Sequence, residues 1–199
     1  MELNDIELVA MAKAAQDDDA FAELVRRHQA RLRAFLRRLC GSDFLADDIA
    51  QDTFIKAHRA LSDFQGGGSF RSWLCAIAYR EFLQNKRKEK AAARLEDALM
   101  EEAASAPGDE SKIEASFSLD LRRALMTLEE MERAALLLCD AAGLSHNEAA
   151  LAIDAPLGSI KTYVARARKK MREALSAEAP PHTEEDPKVV PLNGVCHAL

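Results

Sequence analysis

The 199-residue chain is 48% hydrophobic and 30% charged, with only 8 Gly and 6 Pro, a helix-rich globular profile that excludes fibrous and low-complexity classes. Its four cysteines (Cys40, Cys75, Cys139, Cys196) are scattered without a CxxC pair, which argues against a disulfide framework. No apolar run approaches a membrane span, and the start MELNDIELVA has acids where a secretory signal carries bases, so a cytoplasmic chain without membrane insertion is expected.

The formal charge of −6 weighs against a nucleic-acid partner until its distribution is read. Residues 95–115 carry a net −6 and residues 177–199 a net −3, which leaves +3 on the remainder. Local patches, more than the total, decide partners.

In chain order, Asn4 with Glu7 forms a plausible first N-cap, and a second helix is predicted from about Ala20 to Cys40, ending at Gly41. A third spans roughly Phe44 to Leu61. On its wheel Ala46, Ile49, Ala50, Phe54, Ala57 and Leu61 form a core face, while Asp48, Gln51, Asp52 and Ile55 share the opposite side. An isoleucine ringed by carboxylates and an amide fits the centre of a small protein interface better than a core. After the SDFQGGG loop, Ser69 can cap a fourth helix reaching toward Lys90. Phe70, Trp73, Leu74 and Ile77 make its apolar stripe. Tyr79 and Phe82 leave that stripe, so they could stack on bases, although core packing is the commoner use of such aromatics. Lys86, Arg87, Lys88, Lys90 and Arg94 follow, a basic end suited to melted nucleic acid or simply to the helix dipole.

Residues 91–116 turn small and acidic, broken by Pro107-Gly108, and read as a flexible linker whose Ala/Glu-rich first half could be helical. A second helical unit is predicted from 117 to 177. In it Thr127-Leu-Glu-Glu130 reads as a capping box opening a helix that ends near Gly143. Ser145-His-Asn-Glu148 reads as a second box, opening the short helix EAALAI. After the turn Asp154–Gly158, a last helix begins near Ser159, with Ile160, Val164, Ala167, Met171 and Leu175 as its buried stripe. From Lys161 to Arg172 it holds six basic residues and no acid, on a face centred on Ala165. Two short helices with a basic second member make a helix-turn-helix suited to a major groove. The tail 178–199 is acidic and proline-bearing, without periodicity, and is expected to be disordered.

These segments together resemble the extracytoplasmic-function sigma factors of RNA polymerase, over roughly residues 5–176. ADDIAQDTFIKA resembles the family's region that grips the clamp helices of the polymerase largest subunit. FQGGGSFRSWLCAIA resembles its minus-ten-reading stretch, and GLSHNEAALAIDAPLGSIKTYVARARKKM its minus-thirty-five-reading helix-turn-helix. The resemblance implies an all-α fold: a region 2 domain over 1–90, an acidic linker over 91–116, and a region 4 domain over 117–177, winged-helix-like but without a wing. It implies Asp48, Gln51, Asp52 and Ile55 at the polymerase interface. Arg71, Trp73, Arg80, Lys86 and Arg87 would serve the minus-ten element, and Ser159, Lys161, Thr162, Arg166 and Lys169 the minus-thirty-five duplex. It also implies core RNA polymerase, promoter DNA and an anti-sigma factor as partners, and a role in a stress or envelope response. Two positions depart from the family pattern: Arg80 stands where an Asn is usual, and Tyr163 follows Thr162 where an Arg-like donor is usual.

A stand-alone helix-turn-helix regulator with a helical sensor domain is the rival reading. An enzyme is not expected: there is no Gly-rich phosphate loop, HExxH or GxSxG, no cofactor motif, and no metal set, His182, Cys196 and His197 being an unconvincing one.

Overall fold

Helix boundaries in this protein follow the capping chemistry of its loops. The computed structural model describes residues 3–14, 17–66, 68–99 and 116–178. In α1 (Asp5–Ala14) the Asn4 side-chain oxygen accepts the Glu7 amide at 3.0 Å, and the Glu7 carboxylate accepts the Asn4 amide at 2.7 Å. The N-cap expected from the sequence is present, closed as a reciprocal box. Asp17 opens α2 (Asp18–Cys40) by accepting from the amides of Asp19 and Ala20. Gly41, left-handed at φ 72°, closes it and donates to the Arg37 carbonyl. Ser42 then caps α3 (Asp43–Arg59), and a 3-10 turn over Leu61–Asp63 leads into α4 (Phe70–Leu99).

The second half comprises α5 (Ser116–Met126), α6 (Glu130–Leu136), α7 (His146–Ala152) and α8 (Leu157–Glu178). Helix α6 runs into a π-helical turn over Leu137–Ala141, where the Ala142 amide reaches the Leu137 carbonyl at 2.9 Å. Gly143, at φ 71°, reverses the chain, and the Leu144 amide returns to the Leu138 carbonyl. The Ser145–Glu148 box opens α7 as expected.

Among the described residues there is no strand, and the fold is all-α. Leu24, Phe35, Leu36 and Leu39 of α2, Ile49 of α3, and Phe70 and Leu74 of α4 are buried together. Leu138 and Ile160 hold the same place in the second half. Each such side chain contributes about 1.5–3 kcal/mol by leaving water. The stripe predicted for the last helix is observed, with Ile160, Val164, Ala167 and Met171 buried and Leu175 half-buried.

Two expectations need correction. Thr127 does not cap α6. Its amide is still bonded to carbonyls of α5, its hydroxyl donates to the Ala124 carbonyl at 2.7 Å, and α6 starts at Glu130 with no side-chain cap. The last helix starts at Leu157, before Ser159, because the Pro156 carbonyl accepts from the amides of both Ser159 and Ile160. The Ala/Glu-rich first half of the 91–116 segment is helical through Leu99, as its composition allowed, and 100–115 lie outside the described residues. Tyr79 and Phe82, 3% and 2% exposed, take the core packing that is the commoner use of such aromatics, and not base stacking. The acidic tail beyond Glu178 also lies outside the described residues.

Candidate protein and nucleic-acid interfaces

The face of α3 opposite its core is built by helical spacing alone. Ile49, Ala50, Thr53 and Ala57 are buried, and Thr53 satisfies its hydroxyl on the Ile49 carbonyl at 2.7 Å. Asp48, Gln51, Asp52 and Ile55 therefore point away from the core and are exposed, Ile55 by 41%. The sequence reading missed Phe44, which is 86% exposed at the start of the same helix. At 100° per residue Phe44 lies within about 40° of Gln51, Ile55 and Asp48, so one face carries two apolar groups among carboxylates and an amide. The signal was available, since Phe44 stands four residues before Asp48. Lys56, on the flank, ties α3 to α4 through an ion pair with the buried Glu81.

Arg33 and Arg37 of α2 approach Asp47 and Asp43 of α3 at 3.6–3.8 Å. They fix the tilt of α3 without touching its outer face.

On α4 the five expected nucleic-acid residues fall into different settings. Arg80 and Arg87 are exposed, and no hydrogen bond or ion pair engages Arg80 among the described residues. Its neighbour Glu81 is committed to Lys56 and does not pair with it. Trp73 is half-buried in an aromatic cluster, its ring centroid 5.3 Å from that of Phe64 and 5.7 Å from that of Phe70. Arg71 and Lys86 face the second half of the chain. Lys86 pairs with Glu130 of α6, and Arg71 lies against the Ala142–Gly143 turn.

The basic face of α8 is smaller than its composition suggests. Arg168 makes a paired contact with Asp140 (2.6 and 3.2 Å), which raises the guanidinium pKa, the hydrogen bond to Asp140 being the main cause. Lys170 donates to the buried Glu132 at 2.6 Å. Both hold α8 against α6 and the π turn. Lys161, Thr162, Arg166 and Lys169 remain exposed, with Ser159 half-buried at the N-terminal end. The Thr162 hydroxyl donates to the Gly158 carbonyl at 3.0 Å, so toward solvent it offers an acceptor. Ala165 is exposed at the centre of this face.

No group of three or more His, Cys, Asp or Glu able to hold a metal ion occurs among the described residues, and no helix there is long and apolar enough to cross a membrane. His182, Cys196 and His197 lie outside them.

Comparison with known proteins bears on both halves. The family model for sigma-70 region 2 matches residues 24–92, and that for sigma-70 region 4 matches residues 118–171. The chain is 34% identical over 178 residues to the RNA polymerase sigma factor NccH of Alcaligenes xylosoxydans xylosoxydans, covering 86% of this chain and 95% of that protein. It is 32% identical over 176 residues to the ECF RNA polymerase sigma factor SigM of Mycobacterium tuberculosis H37Rv, covering 87% and 86%. Among solved structures, the sigma factor RpoE of Bartonella quintana, crystallised with the anti-sigma factor NepR, superposes with a TM-score of 0.66 at 29% identity, covering 80% of this chain and 98% of that one. A first half matched by region 2 disfavours the stand-alone regulator, which needs a sensor domain there. With both regions present in order, the chain belongs to the extracytoplasmic-function family of RNA polymerase sigma factors.

Proposed function

We propose that this sigma factor docks on the clamp helices of the polymerase largest subunit through Asp48, Gln51, Asp52 and Ile55. The observation that carries this is the exposed isoleucine among exposed polar groups on α3, opposite a face on which Ala46, Ile49, Ala50 and Ala57 are buried. An interface centre needs one desolvated apolar anchor with polar groups to set its orientation. Arg71, Trp73, Arg80, Lys86 and Arg87 serve the minus-ten element, and Ser159, Lys161, Thr162, Arg166 and Lys169 the minus-thirty-five duplex. Exposed cations flanking the bare Ala165 support the second assignment, because phosphate contacts position a helix that small side chains let approach the bases. The two domains take the boundaries 1–90 and 117–177, the first extended by the helical run to Leu99.

The chain works in the cytoplasm as a non-catalytic subunit under an anti-sigma factor, as the Bartonella relative does with NepR, and it serves a stress or envelope response. The test is to add the purified chain to core polymerase and assay initiation on genomic promoter fragments. Core-dependent transcripts from a defined set are expected, and their absence overturns the reading.

A further inference from the structure

Helix α8 leaves an open groove beside its basic face. Leu121 and Leu125 of α5, Leu136 and Leu137 where α6 enters the π turn, and Met171 of α8 wall a cleft of about 930 Å³. That lies within the ~300–1,000 Å³ typical of sites that hold a compact ligand. Arg38 and Arg172 also line it, and no carboxylate pairs with either among the described residues; Arg38 spends one guanidinium nitrogen on the Ala34 carbonyl. The acid on the wall, Asp140, is already neutralised by Arg168. Ala165, at the centre of the exposed face of α8, lines the cleft as well, so the groove and that face share an edge.

An apolar cleft with uncommitted cations on its lining fits a segment that carries carboxylates followed by apolar side chains. Such a segment follows α8 in this chain. Glu184, Glu185 and Asp186 come first, then Val189, Val190, Pro191 and Leu192. Arg172 lies six residues before the end of α8 at Glu178, about 9 Å along the helix axis. Glu184 lies six residues after that end, a reach of up to about 20 Å, so the acids can meet Arg172. Val189 has a reach of about 36 Å, which leaves ample slack to enter the cleft behind them. Tethering lowers the affinity this needs. At an effective concentration of ~1 mM, a Kd of about 0.25 mM keeps about four chains in five docked.

We propose that residues 184–192 of this chain dock in the groove between α5, α6 and α8. Their acids meet Arg38 and Arg172, and Val189, Val190 and Leu192 pack against Leu121, Leu125 and Met171. The docked segment overlies the Ala165 edge of α8 and competes there with duplex DNA. That consequence rests on the minus-thirty-five role proposed above for α8, whereas the docking does not.

The test uses the full chain with Cys40→Ala, Cys75→Ala and Cys139→Ala. This leaves Cys196, four residues past Leu192, to carry a nitroxide. Circular dichroism is matched to the native chain, and methyl resonances are read with the label oxidised and reduced. Docking is expected to broaden Leu121, Leu125 and Met171 and to spare Leu8 and Ile49. Val189→Ser, Val190→Ser and Leu192→Ser together leave the net charge unchanged. They should restore those signals and tighten binding of a fluorescein-labelled duplex of mixed sequence about fivefold, the gain expected where about four chains in five had been docked. Groove signals indifferent to the label, or broadened equally in the Ser variant, overturn the docking. Broadening passed between chains, in a mixture of spin-labelled and isotope-labelled protein, gives the groove to a second copy and overturns it too. Docking without the gain in duplex affinity overturns the competition with DNA. Failure of the functional reading shows separately, as absence of core-dependent transcription by the native chain.

Discussion

Truncating Phe44 should weaken polymerase binding more than truncating Ile55. The outer face of α3 presents both, but Phe44 is 86% exposed and Ile55 41%, so the phenylalanine has more apolar surface left to bury. Full burial of such a side chain is worth about 1.5–3 kcal/mol. Scaled by the exposed fraction, and allowing for the retained Cβ, Phe44→Ala should cost about 2 kcal/mol, roughly 30-fold in Kd, and Ile55→Ala about 1 kcal/mol, roughly fivefold. Ile55→Arg should go further, because it forces a charge into the centre of the contact, and binding should fall beyond about 100-fold. The assay is titration of labelled chain with core polymerase, with circular dichroism to show that α3 is intact. Phe44→Ala binding within twofold of the parent, beside a defective Ile55→Arg, would limit the interface to the C-terminal part of α3. Parent-like binding by both would remove the face from the interface altogether.

Other outcomes follow from the same geometry. Arg166→Ala should cost about 1–3 kcal/mol on a minus-thirty-five duplex and relax preference at one base pair, read by selection from a randomised library; an unchanged preference removes it from the reading set. Lys56→Met should destabilise the chain by about 1–3 kcal/mol in urea melts by stranding the Glu81 carboxylate, and adding Glu81→Leu should recover most of that loss; strictly additive losses would refute the coupling. Ile160→Ala, at a position with no exposure, should cost about 2–5 kcal/mol and abolish duplex binding by the second half. Burial pushes the Cys75 thiol up to about 12, above its unfolded value of about 8.5. A raised acid pKa stabilises the fold below the unfolded value and is lost as pH climbs toward the folded one. Melting temperature should therefore fall between about pH 8.5 and 12, with a shallower slope in Cys75→Ala.

Where one helix meets its own core, period was enough to read the structure in advance. The stripe of α8 and the outer face of α3 both came from 3.6-residue spacing, because the faces they present are decided within the helix. The reading failed where two elements compete for the same group. Thr127-Leu-Glu-Glu130 has the spacing of a capping box, but its amide still belongs to α5, so the side chain ends one helix instead of starting the next. Tyr79 and Phe82 leave the first stripe of α4, and nothing local says what they meet. Tyr79 meets Met131, 52 residues away, and Phe82 is capped by the Lys86 ammonium 5.6 Å from its ring centroid. The junction between the halves was illegible for the same reason: Ser69 and Glu148 are each half of a local cap, and their mutual bond has no sequence spacing to announce it.

The anchoring of Arg168 and Lys170 also fixes how the last helix responds to ionic strength. Each phosphate neutralised by a protein cation releases condensed counterions, and the affinity then falls with salt by about 0.9 logarithmic units per contact. Six cations between Lys161 and Arg172 would give a slope of about −5.4, but with two of them paired to carboxylates of the same chain the remaining four give about −3.6. The second half thus meets duplex DNA with a shallow salt response and a modest grip of its own. Residence at a promoter then comes from tethering: once α3 is fixed to a large partner, α8 samples nearby DNA at high effective concentration, and few phosphates suffice.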